Sequence, residues 1–376
     1  MIKPDVTIVG AGVIGGSIAY ELSKRGAKVC LVDQGEAGQK ASKAAAGMLG
    51  AQAEMNLDSP LYSFAQYSKA MFDGLKEELQ ECTGIDIELV QKGMIKLARN
   101  PVEQKHLKDR AFQLQEANGP SFWLEEKEIQ DREPAIQTGG LGGLWIPGDG
   151  HVNPAALSTA FVHGAISNGA KLLEYTQVYS LIVENGKVNG VMTSAGPIKS
   201  NHVMVAGGAW SEELLQNTGI ELNTYPVKGE CFSVLAKQQL LQSTLFTEGC
   251  YIVPKKAGRL LIGATETPHS FNERVQVKGI MGLMEKAAGL LPALKEASFE
   301  KSWAGIRPQT ADGLPYMSRH RELDHVWIAT GHYRNGILLS AGTSVYMADL
   351  LEGRKVREDW LQTFSMERQI SYAGRE

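Results

Sequence analysis

Apolar residues open the chain in two short, nearly continuous runs. Val6-Thr7-Ile8-Val9 has the character of a strand buried on both faces, and Val29-Cys30-Leu31-Val32 repeats it. The stretch between them, as far as Arg25, reads as a helix. Glycines mark the turn into that helix, as Gly10-Ala11-Gly12-Val13-Ile14-Gly15-Gly16, and the second run ends on Asp33. Strand, glycine turn, helix, strand and acid in this order predict a dinucleotide-binding βαβ unit. Gly10 permits the tight turn, Gly12 a close backbone approach to a pyrophosphate, and Gly15 contact between helix and strand. The helix N-terminus offers unpaired N–H groups to phosphates. Asp33 can accept hydrogen bonds from a ribose.

Residues 41–51 are small, Ala41-Ser42-Lys43-Ala44-Ala45-Ala46-Gly47-Met48-Leu49-Gly50-Ala51. Such a stretch suits either close approach to a flat ring system or a helix packed tightly on the sheet. Leu61, Phe64, Tyr67, Met71, Leu75 and Leu79 follow helical spacing and predict one long amphipathic helix over 61–81. Residues 85–98 read as a strand broken at Gly93, and 102–116 as a helix. The glycine-rich stretch 139–150 reads as a crossing between domains. Pro154 opens a helix that runs to about Asn168. A strand at 171–174, a hairpin of 178–183 with 187–193, and a strand at 202–206 follow. The next segment is strand-rich, at 229–235, 250–254 and 259–262, before a helix at 277–291 and a strand at 299–306. A short strand at 326–330 and a helix at 337–351 return to the α/β style of the start. The pattern predicts a discontinuous dinucleotide domain with a β-rich domain inserted in it.

Composition narrows the function. The 376 residues suffice for two domains. A net charge of −4 without a basic block argues against nucleic acid as the main partner. No apolar run reaches the roughly 20 residues of a membrane span. Met1-Ile2-Lys3-Pro4-Asp5 enters the first strand directly, without a leader, so a cytoplasmic location is expected. Cys30, Cys82, Cys231 and Cys250 form no CxxC pair, which favours reduced cysteines and gives no zinc-ligand spacing. Neither a Gly-x-Ser-x-Gly nor a Gly-x-x-x-x-Gly-Lys-Ser/Thr motif occurs, so hydrolase and phosphotransferase readings have no support.

Three features carry candidate chemistry. Ala329-Thr330-Gly331-His332-Tyr333-Arg334-Asn335-Gly336-Ile337-Leu338 enters a helix through a glycine-rich loop. It is either a capped surface helix or an electropositive end that steadies negative charge on a reduced cofactor. Arg307, after the strand in Trp303-Ala304-Gly305-Ile306-Arg307-Pro308, is a fork for a substrate carboxylate or a solvated side chain. Tyr251 donates its phenol to the same carboxylate or packs in the core. The βαβ unit fits a nicotinamide as well as a flavin; only 44–51 and 331–338 favour flavin.

Residues 10–33, 42–51, Gly229-Glu230-Cys231, Tyr251-Ile252-Val253-Pro254, 303–308 with Asp312-Gly313, and 331–338 together resemble the FAD-dependent amine oxidases related to D-amino acid oxidase and sarcosine oxidase. The resemblance spans essentially the whole chain. It implies an α/β fold: a glutathione-reductase-like FAD-binding domain, Rossmann-like at its βαβ start, with an inserted substrate domain built on a largely antiparallel sheet flanked by helices. The FAD-binding domain would comprise residues 1–85, 148–216 and 305–376, and the substrate domain 86–147 and 217–304.

Noncovalent FAD is implied, because covalent attachment in sarcosine oxidases uses a C-terminal cysteine and none follows Cys250. Gly10, Gly12, Val13, Ile14 and Gly15 would meet the pyrophosphate, and Asp33 and Gln34 the adenosine ribose. Ala41, Ser42, Ala46, Gly47 and Met48 would pass near the diphosphate and the ring system, and Val178 near the adenine. His332, Tyr333, Arg334, Asn335, Gly336, Ile337 and Leu338 would wrap the pyrimidine edge. Arg307, Tyr251, Arg334, Met48 and Glu266 would face the substrate, with no side-chain base required.

The implied reaction oxidises glycine, and by extension sarcosine and small D-amino acids, by hydride transfer to flavin N5. The imine gives glyoxylate and ammonia, or supplies a thiazole synthase in thiamine biosynthesis, while O2 becomes H2O2. A homotetramer is implied too. Glu266 and Gly249 depart from the family's pattern, standing where a member has methionine and histidine. The competing readings are a sarcosine oxidase or other small-amine flavin dehydrogenase, and a flavin-bearing binding module that would leave Tyr251, Arg307 and Arg334 idle.

Overall fold

In the computed structural model, which describes residues 3–55, 57–117 and 119–368, the first strand Val6–Val9 lies at the centre of a six-stranded sheet. Residues 1–2 and 369–376, at the ends of the expected FAD-binding segments, and residues 56 and 118 lie outside the described residues. Val29–Val32 and His202–Val205 flank the first strand, both parallel to it. Lys171–Leu173 and Val326–Thr330 extend the sheet in parallel, and Tyr316–Arg319 closes one edge antiparallel. Every residue of Val6–Val9 and Val29–Val32 is buried, which accounts for their unbroken apolar character.

The helix Val13–Lys24 packs on the sheet and against helices Pro154–Ser167 and Gly336–Leu351. This packing depends on missing side chains at the glycine turn. A Cβ on Gly15 would lie 1.8 Å from the Gly10 carbonyl oxygen, and one on Gly10 would lie 2.4 Å from that of Ala206. Helix start and strand end therefore touch backbone to backbone.

The second sheet has nine strands and is antiparallel except where Thr244–Thr247 runs parallel to Met94–Leu97. Its spine is the long pair Thr224–Leu235 with Ser298–Thr310. Helix Val277–Leu290 covers one face, burying Ile280, Leu283, Ala287 and Leu290 against Phe232, Ile252 and Ile262. The short helix Ala41–Ala44 of the small-residue segment packs on the sheet's strand Ser298–Thr310. Val178–Glu184, Lys187–Thr193 and Gly196–Lys199 form a separate three-stranded sheet that includes the expected hairpin.

The structure departs from the sequence pattern in several places. The expected helix over 61–81 is two helices, Pro60–Ala70 and Phe72–Thr83. The Met71 amide bonds three residues back, to Ser68. The first half packs on Gly336–Leu351 and the second on Pro154–Ser167, so each half follows a different partner. Within 85–98 only Met94–Leu97 is a strand. Asp86 Oδ1 accepts the Glu88 amide at 2.8 Å, and this local turn competes with ladder formation. Thr244–Thr247 and Tyr316–Arg319 are strands without an anticipated signal, because four residues carry too little alternation. The strand expected at 299–306 runs from Ser298 to Thr310 without a break. Among the described residues, no helix is long and apolar enough to cross a membrane.

Gly15→Ala should cost about 1–3 kcal/mol by overpacking. Thermal denaturation of the variant is expected to show a lower midpoint, with flavin released on gel filtration.

Candidate functional site

Period-two alternation along Ser298–Thr310 puts Trp303, Gly305 and Arg307 on one face. Their partners on the neighbouring strand are Cys231, Gly229 and Val227. The row continues from Cys231 to Gly263, Tyr251 and Phe246 across three more strands. Aligned residues of five strands thus form one surface.

Glycines keep that surface low where it must receive other groups. A Cβ on Gly305 would lie 2.4 Å from Ala44 Cβ, so the short helix Ala41–Ala44 seats directly on the strand. Trp303 Nε1 donates to the Ala44 carbonyl at 3.0 Å and pins this contact. A Cβ on Gly263 would fall 2.4 Å from the Tyr251 hydroxyl, and one on Gly229 would fall 2.3 Å from Arg307 Nη2. The phenol and the guanidinium each lie over bare backbone.

Between this surface and the helix Val13–Lys24 runs a cleft. Gly12, Val13 and Ile14 form one end, residues 44–48 one wall, and Cys231, Tyr251 and Arg307 the other end. His332, Tyr333, Arg334, Gly336 and Ile337 close it from the second glycine-entered helix. Gly12 caps the first helix without a side-chain hydrogen bond, and Ser42 Oγ accepts the Val13 amide at 2.8 Å. Asp33 sits beyond that helix end. Its Oδ2 accepts the Ala11 amide at 2.7 Å and its Oδ1 the Gly35 amide at 2.9 Å. Burial pushes the Asp33 carboxyl up, against these two amides. Gln34, Tyr175 and Gln177 line a shallow depression, next to Val178 in sequence.

An elongated channel thus joins a glycine-entered helix N-terminus and an acid to a surface bearing a guanidinium and a phenol. It fits an extended dinucleotide better than a single small molecule. Gly10 and Gly15 serve the turn and the packing rather than the cleft wall, and Leu338 is buried behind it, 1% exposed. Ala41, Ser42, Ala46, Gly47 and Met48 line the cleft, and Asn335 lines a second pocket that shares Tyr251, Arg307, Tyr333 and Arg334 with it.

Electrostatics separate the two arginines. Arg334 lies 2.8 Å from Glu266 Oε1 and 3.2 Å from Glu54 Oε2. Among the described residues, Arg307 has no carboxylate within ion-pair distance; its Nη1 donates to the Thr265 carbonyl at 3.4 Å. Burial, with Cys231 Sγ 3.5 Å from its hydroxyl, holds the Tyr251 phenol well above the usual tyrosine range, so it remains a donor. His332 is buried, with Nε2 3.2 Å from Thr343 Oγ1, and burial pushes it down to about 3.

Sequence reasoning missed Glu54, Cys231 as a neighbour of Tyr251, and Lys255. Lys255 Nζ donates to the Ala46 and Val152 carbonyls at 2.9 and 2.8 Å and so fixes the cleft wall from behind. Burial lowers its ammonium to about 7. The alternation of Trp303, Gly305 and Arg307 is a signal that could have placed the bare surface. Glu54 has no such signal, because it reaches Arg334 across 280 residues.

The chain matches the model of the FAD dependent oxidoreductases of the DAO family over residues 5–350, and it belongs to that family, with FAD as its cofactor. It is 46% identical to the glycine oxidase of Geobacillus kaustophilus over 98% of both chains. The crystal structure of the glycine oxidase from that organism superposes with a TM-score of 0.95, at 45% identity, covering 98% of this chain and 99% of that one. A bifunctional ThiO/ThiG protein of a Nostoc species is 33% identical over 93% of this chain, which covers 53% of that longer protein.

Burial of neutral His332 makes stability depend on pH in a definite direction. Its folded value of about 3 lies below its ordinary 6.5, so the unfolded chain binds the proton first as pH falls. The contribution is whole above about pH 6.5 and declines toward pH 3, by up to about 1.4 kcal/mol per unit. His332→Gln is expected to flatten the fall of melting temperature between about pH 6.5 and 4.5 relative to the parent; an equal slope would remove His332 as its source.

Proposed function

We propose that this enzyme oxidises glycine, and more slowly sarcosine and small D-amino acids, to the corresponding imine. The observation that carries the reading is Arg307: a guanidinium without a carboxylate partner among the described residues, lying over Gly229 in the FAD cleft with Tyr251 on the same surface. A planar fork and a phenolic donor together match the two oxygens of an amino-acid carboxylate. The glycine oxidase names of the relatives point to the same substrate.

Each residue then has a task. Arg307 holds the carboxylate and Tyr251, kept protonated by burial, donates a second hydrogen bond to it. Arg334 was expected to share this work, but its ion pairs with Glu54 and Glu266 make it a wall of the site instead. The same pairing engages Oε1 of Glu266. FAD held along Gly12, Val13, Ile14, Ser42 and residues 44–48 would supply the acceptor for a hydride from the substrate α-carbon and the route of the two electrons to O2, giving H2O2. The amine must be neutral for that transfer, and positioning by Arg307 and Tyr251 supplies the protein's share without a side-chain base at the carbon. Water converts the imine to glyoxylate and ammonia. The ThiO/ThiG relatives support a second fate, delivery of the imine to a thiazole synthase. Cytoplasmic homo-oligomers complete the reading; unpaired cysteines and the exposed Val277, Met281 and Met284 of one helix accord with it.

An anaerobic visible spectrum before and after glycine tests the proposal. The flavin band is expected to bleach and to return with air. A band that persists with glycine but bleaches with sarcosine would make the enzyme a sarcosine oxidase, and one that returns only with another electron acceptor would make it a dehydrogenase. Arg307→Ala should weaken glycine binding by about 2–5 kcal/mol, read as a rise in KM. Gly229→Ala should raise KM with the fold intact, because the new methyl displaces the mobile end of Arg307 rather than backbone.

A further inference from the structure

Arg307 lies over bare backbone, and a long side chain in that position needs something to aim it. The segment 264–276 supplies the contact, and a buried carboxylate holds the segment. Glu230 follows Gly229 on Thr224–Leu235 and points to the opposite face, where it is 2% exposed. Its Oε1 lies 2.8 Å from Lys228 Nζ and accepts the Gln276 amide at 2.7 Å. Its Oε2 accepts from Thr265 Oγ1 at 3.2 Å. Thr265 Oγ1 in turn accepts the Glu230 amide at 2.9 Å, and the Thr265 amide donates to the Glu230 carbonyl at 3.2 Å. Lys228 Nζ also donates to the Arg274 carbonyl at 2.5 Å. Helix Val277–Leu290 closes over the carboxylate because Gly279 has no Cβ; one would fall 1.9 Å from Oε2.

Thr265 is thus fastened to Glu230 through backbone and side chain alike. Its carbonyl receives Arg307 Nη1, and among the described residues this is the only protein hydrogen bond of that side chain. We propose that Glu230 and Thr265 are positioning residues: the buried carboxylate fixes Thr265, and the Thr265 carbonyl sets the direction of the Arg307 fork. The inference rests on the reading that Arg307 takes the substrate carboxylate. The relay acts on the carboxylate end of the substrate. Its loss therefore weakens binding of any small carboxylate and leaves the step at the α-carbon little altered once the site is saturated.

Thr265→Val is the first variant to make, because it removes the hydroxyl but keeps the Glu230–Lys228 pair. Removing one partner of a buried pair is strongly destabilising, so Glu230→Gln comes second. Steady-state kinetics with glycine are run alongside titration of the flavin absorbance with acetate, a carboxylate without an amine, on the FAD-loaded enzyme. Thr265→Val is expected to raise both the glycine KM and the acetate Kd about tenfold, the scale of one hydrogen bond. Its kcat should stay within about twofold of the parent's, its flavin content should be unchanged, and Thr265→Ser should restore the parent values. Unchanged KM and acetate Kd in Thr265→Val would overturn the relay. So would a fall in kcat without a rise in acetate Kd, which would mark a structural role alone. Arg307→Ala, titrated in parallel, separates the levels. If it too leaves acetate binding untouched, the carboxylate reading of Arg307 fails; if it weakens acetate while Thr265→Val does not, only the relay fails.

Discussion

A guanidinium can lie flat along a strand only where that strand lacks a side chain, and Gly229 provides that place beneath Arg307. The same constraint recurs across the site. Gly263 makes room for the Tyr251 hydroxyl, and Gly305 lets Ala41–Ala44 settle on the sheet. At the cofactor end, Gly10 and Gly15 bring strand and helix into backbone contact. The cleft is lined where helices and side chains settle on bare backbone at these glycines. A methyl group at any of these positions would have to displace a neighbour, since protein interiors leave few voids larger than a water molecule.

Charge is distributed with the same economy of contact. The site holds two arginines, and ion pairing distinguishes them. Arg334 is neutralised by Glu54 and Glu266, which arrive from different parts of the chain. Arg307 meets only a carbonyl oxygen. Among the described residues, Arg307 is therefore the arginine of the cleft that has no carboxylate partner. The buried Lys228–Glu230 pair and the half-buried Lys255 hold backbone beside the cleft. Ionic groups of this kind add little to stability against apolar packing, but they specify where backbone segments sit. That is what a site built on positioning demands.

How much was legible in the sequence depended on how local the signal was. The βαβ unit at residues 6–33, the helix after Pro154, the hairpin around Asn185 and the helix entered through Gly336 all follow patterns within a few turns of chain. Their boundaries agree with the structure to within one or two residues. The expectation of one helix over 61–81 failed because the break at Met71 has no sequence mark; it reflects two different partner helices. Residues 85–93 failed as a strand because the Asp86 side chain closes a local turn. Family resemblance located Arg307 and Tyr251, while their surroundings required the sheet register.

The sequence by itself determined the cofactor unit, because glycine spacing, helix start and terminal acid act over short distances and impose nearly the same geometry wherever they occur. That Trp303, Gly305 and Arg307 share a face needed the structure, because the strand expected to end at 306 runs on to Thr310. Only the tertiary structure decided which arginine is free, that Glu266 is paired, and that Glu230 reaches Thr265 to brace Arg307. Those outcomes depend on side chains meeting across sheets and distant segments. No local pattern encodes such meetings, because the energy of each contact depends on which partner the fold brings within about 3 Å.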